Sequence, residues 1–344
     1  MTHQQQGLLA AQELQVLSAI HRLGYVSAQE LAKDSGLKPH AVRQSLHNLF
    51  ERRAIEPFCS INVIALGLQP YMTYFSFSSA TPEEEELALR VALDHPNVNW
   101  LARIGHHYDF GISVLAESVD DALRIYGELR QGMGLEWAGK SFIQASSMFL
   151  WPLKCFGFEG DPGVTIVLRQ LEGRYAMDDL DHRILAFKAA NPLSPDASVA
   201  RFLSIPEATA SYRLKRLHNA GVINGYGVSP VWESLGLLQH KVAISFKTLD
   251  LELHEALVGF AHRTMTCVGA IPCLGAWDFE FNIFTSQGDN GRSFMALIEA
   301  EFGGVIEHVR VLPYSRALKL NPYPFAAPPC ELPAARVPRP ASLA

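Results

Sequence analysis

A chain of 344 residues, 48% hydrophobic and 19% charged, is long enough for two or more globular domains with their own cores. Its formal net charge of −6 excludes an overall basic protein, so a nucleic-acid partner has to be read from local charge. Five scattered cysteines, none spaced as CxxC and none completed by a histidine pair, exclude a zinc pattern and read as reduced thiols.

In chain order, the N-terminal stretch has no basic region followed by an apolar core. No apolar run reaches the ~20 residues of a spanning helix, so neither a signal peptide nor a membrane segment is expected, and a cytoplasmic location is. Leu14, Leu17, Ile20 and Leu23 recur at helical spacing, and Gly24 ends that helix. Ser27 and Glu30 form a capping box ahead of Leu31 and Ala32. Gly36 makes a turn, Pro39 opens a third helix with Val42, Leu46 and Leu49 inward, and Ile55 starts a strand. An alternating strand (Tyr71 to Phe77), a helix (Pro82 to Leu93), two strands joined at Gly105 (Val98 to Gly105, Asp109 to Leu115), a helix (Val119 to Gln131) and a strand near Ser141 to Phe149 follow. The acidic run Glu83 to Glu86 suits a helix N-terminus. The order β-α-β-β-α-β is the ferredoxin-like plan.

The plan then repeats. At a shift of 168 residues Leu17 pairs with Leu185, Ala32 with Ala200, Leu37 with Ile205, Leu46 with Leu214, Leu49 with Leu217 and Ile55 with Ile223. Val199, Ala200 and Leu203 mark a short helix, Ser204-Ile205 a tight turn, and Ala210, Leu214 and Leu217 the buried stripe of a second helix. Gly221 stops it, and the strand from Val222 suggests a wing. A second β-α-β-β-α-β series runs from Lys241 to Leu312. The fold class is therefore α+β, with two winged helix-turn-helix domains (10–64 and 178–234) and two ferredoxin-like domains (66–156 and 237–320) as an internal repeat. A linker spans 157–177, where Gly160-Asp161-Pro162-Gly163 reads as a turn and Val164 to Leu168 as a strand bridging the two bodies. A Pro/Ala-rich tail, expected to be disordered, spans 321–344.

Two short helices across a tight turn, the second basic on its exposed side, suit double-stranded DNA: cations reach phosphates, and long polar side chains near the helix start reach base edges. In the second head the candidates are Thr209, Tyr212, Arg213, Lys215 and Arg216; in the first they are Lys38, His40, Arg43, Gln44 and His47. P-loop, GxSxG and HExxH motifs are absent, so no catalytic residue, metal or cofactor is assigned.

The run Leu180-Asp181-x-x-Ile184-Leu185, then Ala200 to Tyr226, then Gly275-Ala276-Trp277-Asp278-Phe279, resembles the Lrp/AsnC family of prokaryotic transcriptional regulators. The first half repeats the last motif, one residue longer, as Gly105-His106-His107-Tyr108-Asp109-Phe110. The resemblance implies pairing of the two bodies as an intramolecular pseudo-dimer, with further homo-oligomerisation open. It also implies a small effector such as an amino acid near the glycine-aspartate turns, making Gly105, Tyr108, Asp109, Gly275, Trp277 and Asp278 candidate effector residues. Those turns read equally as plain hairpin geometry. The family's Thr-Arg-Arg positions on the recognition helix carry Thr209, Arg213 and Arg216 in the second half but Ala41, Ser45 and Asn48 in the first, so the second head is expected to be the stronger reader. An alternative is similarity to siroheme decarboxylases, in which His95, Arg103, His106 and His107 would hold a tetrapyrrole's carboxylates; Asp109-Phe110 and Asp278-Phe279 stand where those enzymes carry an Asn-aromatic pair.

Overall fold

The structure, a computed structural model, describes residues 9–156, 163–172 and 175–325. The first unit comprises α1 (Ala11–Leu23), α2 (Ala28–Ser35), α3 (Pro39–Glu51), β1 (Ile55–Ile61), β2 (Gln69–Phe77), α4 (Pro82–Asp94), β3 (Val98–Ile104), β4 (Phe110–Ala116), α5 (Val119–Met133) and β5 (Trp137–Ala145). Short strands β6 (Met148–Leu150) and β7 (Ile166–Leu168) lead to the second unit. There α6 (Asp179–Ala190), α7 (Asp196–Leu203), α8 (Glu207–Asn219), β8 (Ile223–Pro230), β9 (Leu238–Phe246), α9 (Leu251–Arg263), β10 (Cys267–Gly275), β11 (Phe279–Thr285), α10 (Arg292–Phe302) and β12 (Ile306–Leu320) repeat the order. The chain is thus α+β, with two winged helix-turn-helix and two ferredoxin-like domains arranged as an internal repeat.

The helix boundaries follow from local chemistry. Ser27 caps α2 by accepting from the Glu30 amide at 3.3 Å, while the Glu30 carboxylate accepts from Ser27 N at 3.0 Å. Pro39 occupies the first turn of α3, where its missing N–H has no intrahelical partner to lose. Leu17, Ile20, Leu31, Val42, Leu46 and Leu49 then meet in one core, and Leu185, Val199, Leu203, Ala210, Leu214 and Leu217 in another.

The wings do not form separate hairpins. β1 pairs antiparallel with β8, Ile55 opposite Pro230 and Phe58 opposite Gly227, so a single ribbon ties one head to the other. The Phe58 ring lies on Gly227, where a Cβ would come within 2.4 Å of Phe58 Cζ. The halves also cross over. The first head's core takes in Val228, Leu235, Val268 and Phe284, while the second head's takes in Cys59, Ile61, Ile64 and Leu115. Each head therefore rests on the other half of the chain.

The two bodies close on each other. The first has strand order β5-β2-β4-β3 and the second β12-β9-β11-β10; β12 joins β3 (Ala317 opposite Ala102) and β5 joins β10 (Ile143 opposite Gly275). Eight strands thus form a closed barrel. Helices α4 and α5 cover its outside over one core, α9 and α10 over another, and a third core fills the interior. β12 runs to Leu320 rather than ending at Leu312, because from Tyr314 onward its partner is β3. The strand expected at 164–168 forms as β7 but adds to β6, which lies on β10; the bodies are joined by their own strands instead. Residues 160–162 of the expected turn lie outside the described residues, as does the tail beyond Phe325. The start of that tail is not free chain: Tyr323 is buried in the second head's core beside Phe325, and its hydroxyl meets His182 Nδ1.

Candidate nucleic-acid interface

Recognition helices α3 and α8 bury Val42, Leu46 and Leu49, and Ala210, Leu214 and Leu217, which turns their polar residues outward. In α3 and its N-cap, Lys38, His40, Gln44 and His47 are exposed and Arg43 is half-buried; Gln44 Nε2 donates to Asn48 Oδ1 at 2.8 Å. In α8, Tyr212 and Lys215 are exposed, and Thr209 and Arg216 half-buried. The Arg216 guanidinium lies over the rings of Tyr175 at 5.5 Å and Tyr212 at 6.0 Å, which orders it without neutralising it.

Arg213 is placed differently from its expected role. Its guanidinium donates to Asp178 Oδ2 at 2.5 Å and to Asp181 Oδ1 at 3.2 Å, and its side chain is only 21% exposed. Asp178 is the N-cap of α6 and Asp181 its third residue, linked by a reciprocal capping box. Tyr175 donates to Asp181 as well, at 3.2 Å. Arg213 thus holds the first helix of its head against the recognition helix, and its charge is matched by two carboxylates. Sequence reasoning missed this cluster, although the Asp178–Asp181 spacing is a legible capping signal. The Asp178 carboxyl is held below its ordinary range, first by the Asp181 amide and then by the Arg213 guanidinium.

The glycine-aspartate turns lie on the two seams of the barrel. Gly275 has φ +137, and a Cβ there would sit 2.3 Å from the Phe142 carbonyl oxygen, so β10 approaches β5 only with glycine at this point. Gly105 N donates to Pro313 O at 2.9 Å on the other seam. Asp278 Oδ2 accepts from Phe246 N at 2.8 Å, a turn-fixing role, whereas the exposed Asp109 carboxylate has no partner among the described residues. Tyr108 and Trp277 are both buried in the barrel interior; Tyr108 meets Ser141 Oγ at 2.5 Å, and Trp277 Nε1 has no partner among the described residues. Beside them Lys241 pairs with the fully buried Glu280 and lies over the Trp100 ring at 5.0 Å. The histidine-bearing region is split. Arg103 pairs with Glu85 at 2.5 Å and covers Phe110, and His95 lies 3.5 Å from Glu128, both toward the outer helices, while His106 and His107 are exposed at the Gly105 turn.

A winged helix-turn-helix DNA-binding family model matches residues 177–224, which cover all of α6, α7 and α8. The second head is thus a winged helix-turn-helix of the DNA-binding class. Over the whole chain the fold is similar to the siroheme decarboxylase NirDL, with 13% identity and a TM-score of 0.57 over 90% of this chain and 93% of that one. The complex of NirDL with an iron-uroporphyrin III analogue gives 11% and 0.56 over the same shares. A transcriptional regulator of Neisseria meningitidis, solved with L-Met, is 17% identical with a TM-score of 0.38, over 43% of this chain and 96% of that one. E. coli AsnC is 16% identical at 0.35, over 41% and 94%. No curated protein matches the sequence. At these identities the likeness is one of fold. No helix among the described residues is long and apolar enough to cross a membrane.

Proposed function

We propose that the chain is a sequence-specific regulator of transcription of the Lrp/AsnC type, binding double-stranded DNA with two heads carried as an intramolecular pseudo-dimer. The observation that carries this reading is the β1–β8 ribbon: it fixes two recognition helices relative to one another, each with exposed polar residues and cations. In the second head Lys215 and Arg216 are the phosphate contacts, with Thr209 and Tyr212 toward bases; in the first, Lys38, His40, Arg43, Gln44 and His47 serve. With Arg213 matched by carboxylates, the two heads contribute more evenly than the sequence suggests. An amino-acid-like effector at the seams would meet Asp109 first, because the Asp278 carboxylate already holds a backbone amide. Genome-wide footprinting with purified protein, with and without an amino-acid pool, tests both points. Protected operators whose occupancy shifts with the pool are expected; a failure to protect any site at low salt overturns the reading.

The full-length likeness to NirDL favours a second reading, an enzyme acting on a tetrapyrrole. The separation of His95 and Arg103 from His106 and His107 weighs against a shared carboxylate cradle. Titration with iron-uroporphyrin III distinguishes the readings: a saturable absorbance change with loss of a carboxylate from the macrocycle would favour the enzyme.

A further inference from the structure

We infer that the space between the first head, the wing ribbon and the segments that meet them at 152–153 and 164–166 is a binding site for a small uncharged molecule with a ring-sized apolar body and one hydrogen-bonding group. The cavity measures about 220 Å³. Its walls come from four parts of the fold: the α1–α2 corner (Leu23), β1 (Phe58), β8 (Gly225) and the connecting segments (Leu153, Ile166). An apolar cavity of about 150 Å³ accommodates benzene, so this volume suits one ring or two fused rings.

The chemistry of the lining selects the class. None of the described lining residues is Asp, Glu, Lys or Arg, and His21 is the one basic side chain among them. A free amino acid would bring an ammonium into described walls that offer it no carboxylate, a costly transfer. One polar group is held ready. Ser60, a lining residue 7% exposed, has a buried Oγ with no hydrogen-bond partner among the described residues. Such a group is costly to leave unmade. Its Oγ is shielded in the folded chain, and rotation about χ1 would turn it into the space, where a ligand hydroxyl or ring N–H would satisfy it.

The opening itself has a structural cause. Ser60 pairs with Gly225 where the β1–β8 register shifts, and Gly225 adopts φ +148. No heavy atom lies within 4 Å of the place a Gly225 Cβ would take, so the irregular ribbon leaves space where regular strands would pack. The site differs from the barrel seams in both place and ligand charge. On the regulator reading above, occupancy would stiffen the junction between the first head and the ribbon and so alter the spacing of the two recognition helices.

Calorimetry on the full chain with indole and with phenol, and L-leucine as the charged comparison, tests the site. Saturable uptake of one indole or phenol per chain is expected. Ser60→Leu, which fills the cavity, and Leu23→Trp, which blocks its rim from a 42% exposed position, should each weaken uptake about tenfold or more. Circular dichroism identifies folded variants, and Leu23→Trp decides if Ser60→Leu does not fold. Failure of the wild-type chain to take up either compound, unchanged uptake by folded Leu23→Trp, or leucine uptake lost in that variant overturns the assignment. Indole binding without any DNA binding would sink the regulator reading and leave this site standing.

Discussion

Tyr74 donates to Glu280 across 2.6 Å inside the barrel, joining residues of the two bodies 206 positions apart in the chain. Burial, and then the neighbouring carboxylate, push the Tyr74 phenol well above its ordinary range, so it acts as a donor. Lys241 completes the group, reaching Glu280 and, at 3.2 Å, Asn282 Oδ1. At a shift of 169 residues the first body carries Met72, Gly111 and Ser113 in place of Lys241, Glu280 and Asn282, so the group is one-sided. Gly111 matters to it: a Cβ there would come within 2.5 Å of the Trp100 ring on which Lys241 rests.

Glu280→Leu would leave Lys241 buried without its counter-charge and should cost about 3–5 kcal/mol of stability. The combination Tyr74→Phe, Lys241→Met, Glu280→Leu removes the phenol, the ammonium and the carboxylate together, leaving only Asn282 Oδ1 without its Lys241 donor, and should recover most of that loss. Urea denaturation of the two variants checks this; equal destabilisation of both would show that shape rather than charge governs the interior.

Gly275→Ala and Gly105→Ala should differ. The first places a methyl 2.3 Å from a carbonyl oxygen at φ +137 and should cost ~1–3 kcal/mol or more, opening the β5–β10 seam. The second meets Pro313 Cβ at 3.4 Å with an ordinary φ and should cost less than about 1 kcal/mol. Thermal melts, with exchange of the Ala276 amide that donates to Phe142 O at 2.9 Å across the β5–β10 seam, separate the two.

Arg213→Ala should weaken the second head at neutral pH and change its response to acid. A carboxyl whose folded pKa is depressed stabilises the fold above its unfolded pKa and loses that contribution as pH falls through the folded value. Asp178 is such a group, so its contribution is lost on acidification below the ordinary carboxylate range. Its first cause, the Asp181 amide, survives the mutation, so the acid-dependent part should shrink without vanishing. Acid titration of both proteins, followed by tyrosine and histidine resonances of the head, measures it.

Lys188 is buried, donates to the Ser194 carbonyl at 2.8 Å and lies over the Tyr226 ring; burial lowers its pKa from 10.5 to about 8. Between those values the unfolded chain binds more protons than the folded one, so this group makes stability rise with pH across that window. Lys188→Met should remove that rise. The stability of wild type relative to the variant should therefore climb from about pH 8 to 10.5 and stay flat below it, as read from denaturant midpoints at stepped pH.

On the proposed function, Lys215→Ala and Lys38→Ala should each lower the slope of log affinity against log salt by about one unit, because each removes one phosphate contact. Arg213→Ala should change that slope far less. Filter binding to a footprinted operator over a salt series decides; an equal loss of slope for Arg213→Ala would mean that its carboxylates release it on DNA.

The periodic signals in the chain were local, and they place the helices and strands well. Apolar spacing located α3 and α8, and the Ser27–Glu30 box located the start of α2. Partnership over distance was not legible. Nothing in the neighbourhood of Ile55 or Ile223 says that these strands pair with each other rather than within their own heads. Arg213 reads as a phosphate contact because its helix is basic, and only the fold reveals two carboxylates 32 and 35 positions upstream. Lys241 and Glu280 are 39 positions apart on different strands, and their meeting depends on a register that no alternation pattern supplies. Tyr323 falls in a proline-rich stretch whose composition hides one anchoring ring.

The ring of eight strands bears on how this molecule can associate. In a two-body sheet left open, β3 and β10 would each expose a flank of unpaired amides and carbonyls, a template for stray chains to zip onto. Here β12 and β5 occupy those flanks, so backbone recruitment at the seams is spent within one molecule. A larger complex formed through the barrel is therefore left to side chains on its outer helices, where single substitutions can tune or abolish it without unravelling the fold.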